Sequence, residues 1–318
     1  MHITSMPSSI STRVVRLQPW LNVRNVEACF ITLQQGALIL KDRGKTLLDE
    51  NLAGIHLANR PPDGTFATTH AQRLPDGGYV LASCRSKVGE RNLQIFGPSG
   101  RFVRSFPIGD GIEHLAVDSR GRIWVGYFDE GIFGGDPLSA HGLSRFDQHG
   151  DLEYQWNGRP NAPIDDCDTL TLDDNDAAWI CPYSPYFVAM IKGFETRTVL
   201  PKAPVSIMSG LLVGPKHLGF VGGIDFHGVG DQNGFRINVS PEGSRIEAMP
   251  KVGPDPTPKD SVVTIVSLET GNRTQVQILD QYSAPMTFRH NVSCRAGAAL
   301  CWNGSHIYRF SLDSLLAA

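Results

Sequence analysis

This chain of 318 residues has no apolar run approaching the roughly 20 residues needed to span a bilayer. It has no basic cluster either. Its net charge of -3 gives no reason to expect nucleic acid or another polyanion as a partner. The stretch 1–20 lacks the apolar core of a signal peptide, so a soluble, cytoplasmic protein with no membrane partner is expected. The sequons at Asn238, Asn272, Asn291 and Asn303 then read as chance matches. There are 6 cysteines, none in a C-x-x-C pair or with Cys/His zinc-ligand spacing, and their wide, irregular spacing argues against a disulfide framework. Cys29, Cys84, Cys181 and Cys301 fall in or at the end of apolar runs and read as small buried hydrophobes. No G-x-S-x-G is present, and Ser206 and Ser209 have no neighbouring base, so no serine nucleophile is signalled. No segment of ordinary helix length shows apolar 3.6 periodicity.

What is present is a recurring phrase: a turn of Asp, Gly or Asn, a short apolar strand, and a second turn. It reads LPDGGYVLAS at Leu74–Ser83, DSRGRIWVGY at Asp118–Tyr127 and DDNDAAWICP at Asp173–Pro182, with a weaker copy at Val213–Gly223. With Gly77, Gly121, Asp176 and Lys216 as markers, the spacing lies close to the roughly 40–50 residues of a propeller blade. The fullest copy runs through four strands that grow more polar outward: Ile112–Asp118, Arg122–Phe128, Gly142–Gly150 and Asp151–Asn157. That is the pattern of one blade whose inner strands are buried on both faces. Trp124, Trp179 and Trp302 recur in second strands and read as core between blades.

The predicted fold is therefore all-β, a single domain over 1–318 forming a six-bladed propeller of four-stranded antiparallel blades. The blades fall at roughly 20–65, 66–111, 112–160, 164–204, 205–283 and 285–318 plus 11–19. In this assignment 11–19 supplies the outer strand missing from the last blade, closing the ring by pairing the two termini. The fifth blade is oversized and holds the Pro-rich stretch 251–260. It carries either an extra hairpin or a degenerate seventh blade, and six blades is the favoured count.

At GIEHLAVDSRGRIWVGYFDEG (Gly111–Gly131) the chain resembles the NHL-repeat and gluconolactonase-like (senescence-marker-like) six-bladed propellers. As architecture the resemblance covers most of the chain, and as a legible motif two or three blades. It implies a propeller rather than one activity, because the superfamily includes lactonases, phosphotriesterase-like hydrolases, strictosidine-synthase-like enzymes and interaction modules. It also implies a divalent cation held by Glu, Asn and Asp at the channel. Here the E-G-P phrase is absent from RNVEACFI, Ser209 stands where the Asn would be, and Glu113-His114 stands where the Asp would be.

Residues just before each inner strand converge on one channel mouth. They are Asn25 and Glu27, His70, Glu113 and His114, Asp165, Asp166 and Asp168, Ser206 and Ser209, and His290 and Asn291. His114, which could act as a general base, and Asp166, one of a run of close carboxylates that raise one another's pKa, are the candidate catalytic residues. His70, Glu113, Asp165, Asp168, Ser209, His290 and Asn291 are candidate ligand-binding residues, and Glu113, Asp166 and Asp168 are a candidate oxygen set for a divalent cation. No other cofactor is expected. The long loops Tyr127–Gly142 and Gly222–Gly234, with Asp129, Glu130, Asp225 and His227, are secondary candidates. The leading reading is a binding module presenting its mouth to a small molecule or a protein. The alternative is a lactonase- or esterase-like hydrolase acting in the channel, with or without a metal.

Overall fold

The computed structural model describes residues 11–58, 66–158, 162–183, 185–225, 235–240, 243–248 and 260–318, with backbone alone for 11, 224–225, 235–240 and 243–248. The strands are started and stopped by one turn device. An aspartate Oδ1 accepts the backbone N–H groups two and four residues on, which closes the hairpin without help from a neighbour. Asp118 accepts from Arg120 and Arg122, both at 3.0 Å. Asp173 accepts from Asn175 and Ala177 at 2.8 and 3.0 Å. Asp49, Asp147 and Asp280 repeat the pattern.

Between these turns the chain builds six radial sheets. Blade 1 is three-stranded, with Ala28–Ile31, Ala37–Lys41 and Thr46–Leu48. Blade 2 has His70–Arg73, Tyr79–Ala82, Leu93–Phe96 and Phe102–Phe106; blade 3 has Ile112–Val117, Ile123–Tyr127, Leu143–Phe146 and Leu152–Gln155. Blade 4 has Thr169–Leu172, Ala178–Cys181, Val188–Lys192 and Glu195–Leu200. Blade 5 has Gly210–Val213, His217–Val221, Val262–Ser267 and Arg273–Leu279, and blade 6 has Val292–Arg295, Ala298–Trp302 and His306–Ser311. Each innermost strand lies beside that of the next blade, and the sixth lies beside the first, so the ring is closed. The inner strand of blade 4 is buried throughout while its outer strand is half-exposed, the expected outward gradient.

Two expectations are refined. The ring is closed by pairing of the termini, but the strand that does so is Pro19–Asn22, antiparallel to the last blade's His306–Ser311. The segment assigned to that role splits: Ser11–Arg16 runs parallel to Arg273–Leu279 as a fifth strand of blade 5. The reason is apolar pairing. Val15 and Leu17 pack with Val276 and Ile278, whereas Trp20 and Leu21 pack with Trp302 and Ile307. The oversized fifth blade carries the extra hairpin, with Phe235–Ser240 paired to Gly243–Ala248 as a sheet of its own. Residues 251–259 of the Pro-rich stretch and His227 lie outside the described residues. Among the described residues there are two short helices that the strand pattern does not predict, Asp129–Ile132 and Leu312–Ala317, the second starting at a reciprocal Ser311–Ser314 cap.

Blades pack through aromatic and cationic contacts. The buried Arg145 guanidinium lies 5.0 Å from the Trp124 ring and 5.1 Å from that of Phe194, and its Nε donates to Glu153 at 3.0 Å. Trp124, Trp179 and Trp302 are all buried. Trp156 bridges blades 3 and 4: it stacks on Phe187 at 5.8 Å and donates its indole N–H to the Ala162 carbonyl at 2.9 Å. Trp156→Ala is expected to cost about 4 kcal/mol in urea unfolding. A cost below about 1 kcal/mol would show that this contact does not hold the two blades together.

Candidate functional site

The ring leaves a cavity of about 760 Å³ on its axis, lined by residues of all six inner strands. Because each inner strand runs downward from the same face, residues just before it or at its start form the upper mouth. The lower end is pinched. The Ala296 N–H donates to the Leu172 carbonyl at 2.8 Å, joining blades 6 and 4 past the inner strand of blade 5. Thr171 Oγ1 adds a bond to the Cys294 carbonyl at 3.2 Å, and Arg295 reaches from blade 6 to the Val117 carbonyl of blade 3 at 2.9 Å. The cavity is thus a pit whose floor is crossed by side chain and backbone.

The mouth collects carboxyl groups. Glu113, Asp129, Asp166, Asp168 and Asp260 all line it. Asp168 is pushed up to about 7 by burial, with the charges of Asp166 and Glu113 adding to the effect. Asp166 is pushed up to about 6 by burial and by Glu113 and Asp129. Backbone N–H groups of Ile207 and Asp129 favour the charged forms of Asp168 and Asp166 respectively, but do not outweigh burial. Asp168 Oδ2 is buried and has no hydrogen-bond partner among the described residues. Ile207 itself lines the mouth at φ 50, a left-handed conformation that is costly for a β-branched residue and is found where surrounding structure enforces it.

The two histidines line the cavity and also bond across blades. His70 Nε2 lies 3.1 Å from the Glu113 carbonyl and its Nδ1 lies 2.9 Å from Thr69 Oγ1. His114 Nε2 lies 3.0 Å from the Asp168 carbonyl. Each imidazole therefore ties its blade to the next by the same ring-to-backbone bond. Burial lowers His70 to about 4, so it is neutral at physiological pH with both nitrogens engaged. His114 keeps Nδ1 as its basic nitrogen, because Nε2 donates.

Of the remaining predicted residues, Ser209 and the exposed His290 line the cavity. Asp165 and Asn291 do not line it; the Asn291 backbone closes a turn with Phe288 and Trp302. Glu27 points its function elsewhere, accepting the Arg43 and Gly44 N–H groups at 2.5 and 3.0 Å. Glu130 pairs with Arg85, which also holds Asp110 at 3.1 Å. Sequence reasoning missed Gln72, Cys84, Phe128, Ile207, Asp260, Arg289 and Arg295 as lining residues. Gln72 and Arg295 sit inside predicted inner strands and could have been found by extending the register below the mouth. All six cysteines are free. Cys84 is half-buried at the mouth rather than buried in core, and burial raises its thiol to about 11.

The donor set does not fit the divalent cation implied by the resemblance. Among the described residues no group of three or more His, Cys, Asp or Glu is placed to hold a metal, so Glu113, Asp166 and Asp168 share the mouth without forming such a group. Ser209 supplies a hydroxyl where the resemblance implies an amide oxygen.

The class defined is a six-bladed β-propeller with an acidic mouth over a closed pit. No family model matches the chain, and no curated protein matches it. Solved structures do. A streptogramin B lyase aligns with TM-score 0.50 at 10% identity, covering 89% of this chain and 78% of the lyase. The extracellular domain of a hybrid two-component system from B. thetaiotaomicron gives 0.51 at 6% identity, covering 92% of this chain and 34% of that one. A gluconolactonase from Xanthomonas campestris gives 0.46 at 12% identity, covering 92% and 88%. At such identities the likeness is one of fold. No helix among the described residues is long and apolar enough to cross a membrane.

Both mouth carboxyls titrate above the range near 4 of an unfolded chain. The folded chain therefore keeps protons that the unfolded chain has released, and the stability this confers below about pH 4 is lost as pH rises towards 7. Asp168→Asn is expected to be more stable than the parent at pH 8, by on the order of 2 kcal/mol, with the gap closing at pH 4. Thermal melts across that range check this; a gap independent of pH would show that Asp168 is not held protonated.

Proposed function

We propose that this chain binds a small polar molecule at the mouth of its pit and acts on it by proton transfer between Asp168 and Asp166. The observation that carries the reading is the pair of perturbed carboxyls, with Asp168 pushed up to about 7 and Asp166 to about 6 in one enclosed mouth. Between those values Asp166 is ionised and able to take a proton while Asp168 is still protonated and able to give one. The unpartnered Asp168 Oδ2 supports the same reading, since a buried polar atom without a partner is costly unless a ligand satisfies it. The reaction class that fits is addition or removal of a proton around an ester or lactone carbonyl, in the hydrolase and lyase range. The streptogramin B lyase shares the fold alone, so the substrate must be found from the mouth itself.

A small ligand fits better than a docked protein. The loop Tyr127–Gly142 is braced on itself and on blade 2: Ser139 Oγ donates to the Gly131 carbonyl at 2.7 Å, and Arg85 pairs with Glu130 at the surface. A panel of lactones and esters assayed between pH 5 and 8 tests the reading. A bell with limbs near 6 and 7 is expected, with kcat/KM lowered about 100-fold in Asp168→Asn. Turnover unaffected by that change would remove the proton-transfer assignment.

A further inference from the structure

Below the mouth the pit changes character. Arg295, the last residue of blade 6's innermost strand, lines the cavity and is only 6% exposed. Among the described residues its guanidinium makes one hydrogen bond, from Nη1 to the Val117 carbonyl at 2.9 Å, and no ion pair. A guanidinium has five N–H donors, and a buried one that is otherwise unmatched is costly. The carboxylates that feel it are Asp176, Asp174, Asp118 and Asp173. Three of them are committed elsewhere. Asp118 binds Arg122 at 2.6 Å, Asp173 takes the Trp179 indole N–H at 2.9 Å, and Asp176 takes the Ser119 N–H at 2.9 Å. Asp174 is exposed.

The same cavity also holds an unused acceptor. Gln72, 4% exposed, lines the same cavity, and its Nε2 donates to the Ile31 carbonyl at 3.4 Å. Its Oε1 is buried with no partner among the described residues. Turning the amide over would set two oxygens face to face, so the orientation is fixed. The cavity wall includes the aliphatic side chains of Ala116, Leu172 and Leu211, and a low-polarity wall strengthens any charge pair formed beside it.

We propose that the floor of the pit is a subsite for a small monocarboxylate that also carries a hydroxyl or amine N–H. The carboxylate pairs with Arg295, and the adjacent donor reaches Gln72 Oε1. This rests on the mouth being a small-molecule site, though not on its proton transfer. A carboxylate is favoured over phosphate because the single planar guanidinium matches its two oxygens. The four aspartates behind Arg295 also oppose a second negative charge. A ligand anchored there extends upward towards Asp166 and Asp168, so the floor sets which molecules present a reacting group to the mouth.

The test uses the full chain in carboxylate-free buffer at pH 7.5, with glycolate, acetate, acetamide and inorganic phosphate as probes in calorimetry and thermal melts. Glycolate is expected to bind and raise the melting temperature, with acetate about fivefold weaker and acetamide silent. Arg295→Met should abolish the glycolate effect, and Gln72→Leu should bring glycolate and acetate level. If Arg295→Met does not fold, Arg295→Lys is read instead, and a loss of about tenfold is expected because the ammonium lacks the fork. Asp168→Asn should still bind glycolate. Glycolate binding without turnover of any lactone or ester would therefore sink the mouth chemistry while sustaining the floor. No carboxylate effect on the parent chain, an effect that survives in both Arg295 variants, or a preference for phosphate would each overturn the proposal.

Discussion

The pairing of Pro19–Asn22 with His306–Ser311 is the constraint on which the rest depends. Each blade is a small sheet that buries its faces only against its neighbours, so an open arc would leave two faces wet. Laying a strand from the start of the chain onto the last blade removes that penalty and sets blade 1 beside blade 6. The parallel strand Ser11–Arg16 on blade 5 extends the same clasp to a second blade. With the ring closed, the six inner strands have no freedom to spread, and the axial cavity acquires a definite width.

Closure also determines the chemistry of that cavity. The mouth carboxyls come from consecutive parts of the ring, Glu113 and Asp129 from blade 3 and Asp166 and Asp168 from the entry to blade 4, and burial in that mouth, with neighbouring carboxylates adding to it, raises Asp166 and Asp168. The imidazoles of His70 and His114 hold the strands that carry them, each bonding a backbone carbonyl of the next blade. Below, the bond from Ala296 to Leu172 and the reach of Arg295 to Val117 turn a channel into a pit. One set of contacts thus supplies both the fold's rigidity and the enclosed space in which a carboxyl stays protonated near neutral pH.

Much of this was legible in the residues because the turns are local. Asp118 and Asp173 bond amides two and four positions on, so their spacing marks the hairpins whatever packs around them. The paired positions of His70 and His114 were legible too, but as a repeat their meaning was ambiguous: a ring nitrogen bonds a backbone carbonyl as readily as a substrate. Glu27 occupies a mouth-like position in the pattern, yet its carboxylate turns to the Arg43 and Gly44 amides because those unpaired donors are nearer.

The sequence by itself determined the all-β class, the blade period and the gathering of Glu113, Asp166, Asp168 and Ser209 around one mouth, since strand alternation and aspartate turns act over a few residues. Tertiary structure alone decided which terminal strand joins which blade, that the histidine rings bond across blades, and that Gln72 and Arg295 line one cavity. Those outcomes depend on contacts between residues hundreds of positions apart, such as Arg295 and Val117, whose burial and partners exist only once the ring has closed.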